Sequence, residues 1–154
     1  DWEVTKEAEG YSKGERAKKC TVCGEVVETE EYKLSEEEQE ESFKDSCKSY
    51  SYDKIARDPD SYYMKPCVFT GKVVQVMEDG DDSALRVNVT KTSYSYDDTI
   101  YVYYFSDVKK DNKRILEDDI VTIYGYSYGL MSYESVMGAK ITIPSVIAQC
   151  VEIN

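Results

Sequence analysis

The sequence predicts a mainly β protein: a small closed five-stranded barrel preceded by short helices and a small cysteine-containing N-terminal segment. Three observations carry that expectation. From Lys65 onward, apolar and polar residues alternate through five runs separated by turn-forming residues. The first long run, Val68–Met77, has Gly71 near its start, where a strand can bend or bulge and so serve both halves of a barrel. The 154 residues also include 15 Tyr against 3 Phe and 1 Trp. Tyrosine suits sheet faces and wet surfaces, because its ring packs while its hydroxyl stays hydrated.

Taken in order, residues 1–19 (DWEVTKEAEGYSKGERAKK) scatter glycine and charge with no repeating face, and read as a flexible tail. Residues 20–49 read as a knuckle or hairpin followed by an exposed helix. Cys20-Thr-Val-Cys23-Gly is a tight turn, and Val26, Val27, Thr29 and Tyr32 suit a short exposed strand. Ser35 and Glu38 form a capping-box pair that starts a helix running to about Cys47, with Phe43 as its one large apolar residue.

Residues 50–154 read as the barrel domain. Tyr50–Asp58 is a short helix capped by Ser51 and stopped before Pro59, with Tyr52, Ile55 and Ala56 on one face. The strands are Val68–Met77, Leu85–Val89, Ile100–Phe105, Ile120–Gly125 and a closing run within Ile141–Ile153. Pro144 in the last run marks an edge, a bulge or the entry to the strand. Ser106–Asp119 is a charged connection with Ile115 and Leu116 as its inward pair, and Ser127–Gly138 is a hairpin or loop rich in Tyr, Gly and Met. At this length the oligonucleotide/oligosaccharide-binding (OB) barrel is the most economical closed form, with a small sandwich or an SH3-like barrel as alternatives.

Several phrases then carry a resemblance. YDKIARDP (Tyr52–Pro59), VFTGKVVQVMEDG (Val68–Gly80), RILEDDIVTIYG (Arg114–Gly125), Tyr133–Gly138 and Ile143-Pro144 together resemble an OB-fold module of Gram-positive bacterial surface proteins, lipoproteins or membrane-tethered, some labelled toxin-operon regulators. The resemblance spans roughly Tyr50 to Asn154. It implies an OB architecture and an extracellular location, anchored at the cell surface through a segment outside this chain. It transfers no catalytic or ligand-binding residue. Met64-Lys65-Pro66-Cys67 stands where the family has a Gly-Lys-Lys turn, so Cys67 is an addition.

Charge and composition exclude several functions. With 31 acidic against 19 basic residues, the net charge is −12, which opposes nucleic acid held mainly through its phosphates. The chain has no histidine, so Ser-His-Asp and Cys-His nucleophile systems are absent. No carboxylate sits in an apolar setting that would raise its pKa, and a non-enzymatic role is expected. Glu78-Asp79-Gly80-Asp81-Asp82 lacks EF-hand spacing and reads as a solvated turn rather than a calcium site. Glu117-Asp118-Asp119 reads as a β-turn.

The five cysteines leave alternatives open. Cys20 and Cys23 are half of a zinc-ribbon knuckle, with Cys47 as a candidate third ligand; a disulfide within or from the knuckle competes with zinc. No other cofactor is implied. Cys67 opens the first barrel strand and Cys150 lies in the last, so a Cys67–Cys150 disulfide is expected, with two buried thiols as the alternative.

The tyrosines Tyr101, Tyr103, Tyr126, Tyr128 and Tyr133 are the candidate ligand-binding residues, either a stacking platform on a barrel face or ordinary half-exposed cross-strand pairs. The functional expectation is a non-enzymatic OB-fold binding or interaction module whose partner is a carbohydrate or a protein. A structural or regulatory accessory domain is the first alternative. A single-stranded nucleic-acid binder is the second, disfavoured by charge.

Overall fold

Residues 2–109 and 114–154 are described by the structure, a computed structural model. They divide into two compact units, the first ending at Ser46 and the second running from Cys47 to Asn154. Among the described residues, no helix is long and apolar enough to cross a membrane.

The first unit corrects the expectation of a flexible tail. Strands β1 (Trp2–Lys6), β2 (Gly14–Lys19) and β3 (Val26–Tyr32) form an antiparallel sheet in the order β1-β2-β3. Every residue of β1 is exposed, and β2 buries only Gly14 and Ala17. A strand with so little to bury leaves no apolar alternation in its sequence. Cross-strand pairs define it instead. Arg16 pairs with Glu30 and lies 5.3 Å from the ring centre of Trp2 and 5.9 Å from that of Tyr32, and Lys19 meets Glu3 at 2.9 Å. Helix α1 (Glu36–Ser46) begins as expected, with Glu38 N–H donating to Ser35 Oγ at 3.2 Å and Ser35 N–H to the Glu38 carboxylate at 3.3 Å. Its Phe43 is buried and meets the Tyr11 ring at 5.4 Å between centroids.

The second unit is the barrel. Helices α2 (Tyr52–Arg57) and α3 (Pro59–Tyr62) precede β4 (Pro66–Asp79), β5 (Asp82–Lys91), β6 (Tyr96–Tyr104), β7 (Ile120–Glu134) and β8 (Lys140–Ile153). The strands close in the order β4-β5-β6-β8-β7, with β7 returning to β4. Only β6 and β8 run parallel among these pairs. This is the OB-like barrel that the alternation predicts.

Inward residues of successive strands fill the barrel: Val73 from β4, Leu85 and Val87 from β5, Ile100 and Val102 from β6, Val121 and Ile123 from β7, and Val146 and Ala148 from β8. Ile55 of α2 joins this core, 1 % exposed, as its place on the apolar face of that helix predicts. Gly71 sits where β4 changes partner from β7 to β5, and a methyl group there would lie 2.2 Å from the Asn88 carbonyl oxygen.

Two local expectations change. Ile120–Gly125 is not a separate short strand, because β7 continues to Glu134 and forms with β8 a long two-stranded arm whose tip residues Val136 and Met137 are exposed. Of the expected inward pair, Ile115 is buried and Leu116 exposed. The turn at Glu117–Asp119 explains this: Asp119 N–H donates to Leu116 O and its carboxylate accepts from Leu116 N–H, holding Leu116 at the rim. Residues 110–113 of the Ser106–Asp119 connection lie outside the described residues. Pro144 does mark a bulge, lying opposite Leu130 where the β7–β8 register shifts.

Candidate aromatic binding face

Alternation along β6 turns Ile100, Val102 and Tyr104 into the core and leaves Tyr101, Tyr103 and then Phe105 on the outer face. The three rings form a ladder: Tyr101 meets Tyr103 edge-on at 5.1 Å between centroids, and Tyr103 stacks on Phe105 at 6.0 Å. Tyr128 extends the ladder from β7, with its ring set edge-on to Tyr103 at 6.1 Å. Tyr63, which follows α3, then stacks on Tyr128 at 5.7 Å. The result is one continuous strip, Phe105–Tyr103–Tyr128–Tyr63 with Tyr101 alongside.

Tyr128 reaches the strip because β7 bulges there. The register shifts between Ser127 and Leu130, so Tyr128 and Gly129 together face the single residue Ser145 of β8. Gly129 takes φ +75°, a left-handed conformation that glycine adopts without penalty. Ser145 is 1 % exposed and its hydroxyl lies 3.2 Å from each of the Tyr128 and Gly129 carbonyl oxygens, tying the bulge to β8. Met64, in the left-handed region at φ 61°, donates its N–H to Ser127 O at 2.6 Å and anchors the chain just after Tyr63.

Tyr133 joins through a cation. Arg86 of β5 lies directly opposite Tyr101. Its Nη1 donates to the Tyr133 hydroxyl at 2.5 Å, and its guanidinium stands 5.4 Å from the centre of that ring. The arm is thereby folded back over β5, and Arg86 Nε is buried without a hydrogen-bond partner among the described residues. Burial, with the neighbouring phenols of Tyr101 and Tyr128, raises the Tyr103 pKa above its ordinary value, so the Tyr103 hydroxyl stays neutral across the physiological range.

Of the five tyrosines singled out from sequence, the structure brings Tyr101, Tyr103, Tyr128 and Tyr133 to one face. Tyr126 is placed elsewhere: it pairs with Pro66 of β4, and burial together with the Cys47 thiol raises its pKa. Tyr63, Phe105, Arg86 and Ser145 were not singled out. Phe105 and Arg86 are outward positions of alternating strands, a signal present in the sequence. Tyr63 is not legible that way, because Tyr62 beside it turns to pack on Tyr50 at 4.7 Å.

The cysteine pairings expected from sequence are not those of the structure. No disulfide joins any two cysteines among the described residues. Cys67 lies opposite Gly125 and Cys150 opposite Tyr124, so β7 runs between them and they stand about 10 Å apart, beyond the reach of a disulfide. Cys67 faces the core, whereas Cys150 shares the outer face with Tyr124 after the register shift.

The knuckle forms as a turn, with Gly24 N–H donating to Cys20 O at 2.9 Å, and backbone N–H groups of Cys23 and Val22 lower the Cys20 pKa. Cys47, the sequence's candidate third zinc ligand, opens the second unit. Its thiol lies against Gly125 of the barrel, and among the described residues no three metal-ligating side chains gather.

A cleft of about 430 Å³ beside Tyr104 has its cations engaged, with Arg114 on Glu78 at 2.5 Å and Lys109 on Asp81 O and Ser83 Oγ. Within the acidic loop, Asp79 pairs with Asp82 across Gly80 and Asp81, and the Asp82 carboxylate accepts from Ser106 N–H, so the loop is a two-residue hairpin turn.

No protein-family model and no curated protein matches the chain. Among solved structures it is similar to OBody NL8 bound to hen egg-white lysozyme, at 15 % identity and a TM-score of 0.39, over 58 % of this chain and 94 % of that one.

Proposed function

We propose that the barrel is a non-enzymatic binding module whose partner is a protein segment lying across the Phe105–Tyr103–Tyr128–Tyr63 strip. The observation that carries the reading is the strip itself. Its rings come from three separate parts of the chain, yet Tyr63, Phe105 and Tyr128 are 52 %, 42 % and 41 % exposed. Rings that pack on one another are held in place before a partner arrives, so little side-chain entropy is lost on binding. Tyrosine with a nearby arginine is the composition of protein-binding hot spots. In an OB barrel the face of the second and third strands is the usual ligand surface, and here those strands are β5 and β6.

A carbohydrate is the second reading, favoured by the phenol hydroxyls along the strip, which can hydrogen-bond a sugar while its ring face stacks. The phrases shared with Gram-positive surface modules support an extracellular setting for either partner. The chain's charge of −12 stands against nucleic acid.

The test is selection of peptide ligands on the whole chain, alongside a glycan array, with each binder then titrated against Tyr128→Ala. Loss of one exposed hot-spot ring is expected to weaken a strip-bound peptide by ~10-fold or more while the thermal midpoint holds. Glycans binding in place of peptides, with the same sensitivity, would favour the second reading. Binders indifferent to both Tyr128→Ala and Phe105→Ala would refute the strip as the site.

A further inference from the structure

The barrel offers Cys67 a different partner from the one the sequence suggests. Just before α2, Lys48 pairs with Cys67 in a parallel bridge: Lys48 N–H donates to Pro66 O at 3.4 Å and Val68 N–H donates to Lys48 O at 3.0 Å. Cys47 is therefore one residue from the backbone partner of Cys67. Its thiol accepts the N–H of Gly125, the residue that faces Cys67 across the β4–β7 ladder. Gly125 is thus both the donor to the Cys47 thiol and the ladder partner of Cys67, and the Cys67 thiol is close enough to feel that of Cys47. A residue diagonal to its neighbour across paired strands has a Cα separation of about 6 Å, within the span a disulfide bridges.

We propose that Cys47 and Cys67 form a disulfide when the chain meets an organic disulfide oxidant, either a small molecule or an oxidoreductase carrying one. Half-exposed Cys47 gives its proton to solvent and its thiolate attacks the oxidant, forming a mixed disulfide and expelling one thiolate. Cys67 then loses its proton, attacks the Cys47 sulfur and expels the second thiolate. Two protein thiols are oxidised to one disulfide, and the oxidant is reduced to two thiols that take up the two protons.

Burial pushes the Cys67 thiol up to about 12 and Cys47 up to about 11, so the folded, reduced pair reacts slowly near neutrality. The bond therefore forms most readily while the chain is folding. It encloses α2 and α3 in a covalent loop and fastens the first residues of the barrel unit to β4. The proposal is independent of what the strip binds.

The whole chain, unfolded and reduced, is refolded in a glutathione redox buffer, quenched by alkylation and digested with trypsin without reduction. The expected product joins Asp45–Lys48 to Asp58–Lys72, about 2 Da lighter than the sum of the two reduced peptides. Its thermal midpoint is expected to exceed that of the reduced form by at least about 5 °C. Cys47→Ser, at a half-exposed position the fold tolerates, is expected to keep the reduced midpoint and lose the Cys47–Cys67 contribution on oxidation. Linkage of Cys67 to any other cysteine would overturn the proposal. So would complete alkylation of Cys47 and Cys67 at the most oxidising buffer ratio, or an unchanged oxidative gain in Cys47→Ser.

Discussion

Replacing Gly71 with alanine tests the barrel at the point where its first strand serves two neighbours. The new methyl group would lie 2.2 Å from Asn88 O, where ordinary contact begins at 3.4 Å, and 2.9 Å from Val87 Cγ1. No side-chain rotation relieves the first clash, because the obstructing atom is backbone. Asn88 is itself held: it pairs with Lys72, its side-chain Nδ2 donates to Tyr96 O at 2.9 Å, and its side-chain Oδ1 accepts from Thr99 Oγ1 at 2.6 Å. A shift of about 1 Å must therefore separate β4 from β5 or strain the β5–β6 pair.

Overpacking of this kind costs ~1–3 kcal/mol, and losing a ladder hydrogen bond adds ~1 kcal/mol. The smaller entropy of an alanine-containing unfolded chain returns ~0.4–1 kcal/mol. The net expectation is a loss of ~2–3 kcal/mol. In urea denaturation with an m-value of ~1.5 kcal/mol/M, the midpoint falls by ~1.3–2 M. Gly80→Ala is the control. Nothing lies within 4 Å of its Cβ position, and only the left-handed φ of +63° opposes the change, at ~1 kcal/mol. If Gly71→Ala matched wild type, or fell no further than Gly80→Ala, the close approach of β4 and β5 at this residue would be refuted.

Ser145→Ala removes the hydroxyl that ties the bulge and leaves the part-buried carbonyls of Tyr128 and Gly129 without the donor they share; it is expected to cost ~1 kcal/mol in urea titration and to weaken strip-bound ligands beyond that loss. Tyr133→Ala frees the arm from Arg86, so amide exchange is expected to quicken in Met131–Glu134 and Lys140–Thr142 while the amides of Val102 and Val121 keep their protection. The pH dependence follows from the buried thiols. The folded pKa of Cys67 lies near 12, above the 9.0 of an unperturbed thiol, so above pH 9 the unfolded chain releases a proton that the folded chain keeps. Stability from this group is full below pH 9 and falls as pH rises toward 12, with a slope approaching ~1.4 kcal/mol per pH unit. Cys67→Ala is expected to flatten that alkaline slope under reducing conditions, and an unchanged slope would show that Cys67 is not the group responsible.

The helix caps are made by neighbours in sequence, and this chain declares them. The Ser35–Glu38 box and the Ser51 cap, whose hydroxyl accepts from Lys54 N–H, are bonds across three residues, and both are present. The barrel strands declare themselves because one face of each is buried, which forces an apolar residue at every second place. That same rule hid β1 and β2, whose faces are almost wholly exposed and whose pairing rests on charges such as Arg16 and Glu30.

The site and the cysteines obey a different rule. Alternation shows that Tyr101 and Tyr103 face outward, but not that Tyr128 would meet them and Tyr126 would not. A bulge held by Ser145, far along the chain, decides it. Likewise Cys67 and Cys150 look like partners by lying in the first and last strands, until closure places β7 between them and the Lys48 bridge brings Cys47 near instead. The sequence by itself determined the periodicity, the caps, the charge and hence the OB-like barrel. Which side chains share a surface was decided only by strand order and register, because those are set by the packing of the whole core and one residue of slip exchanges every face.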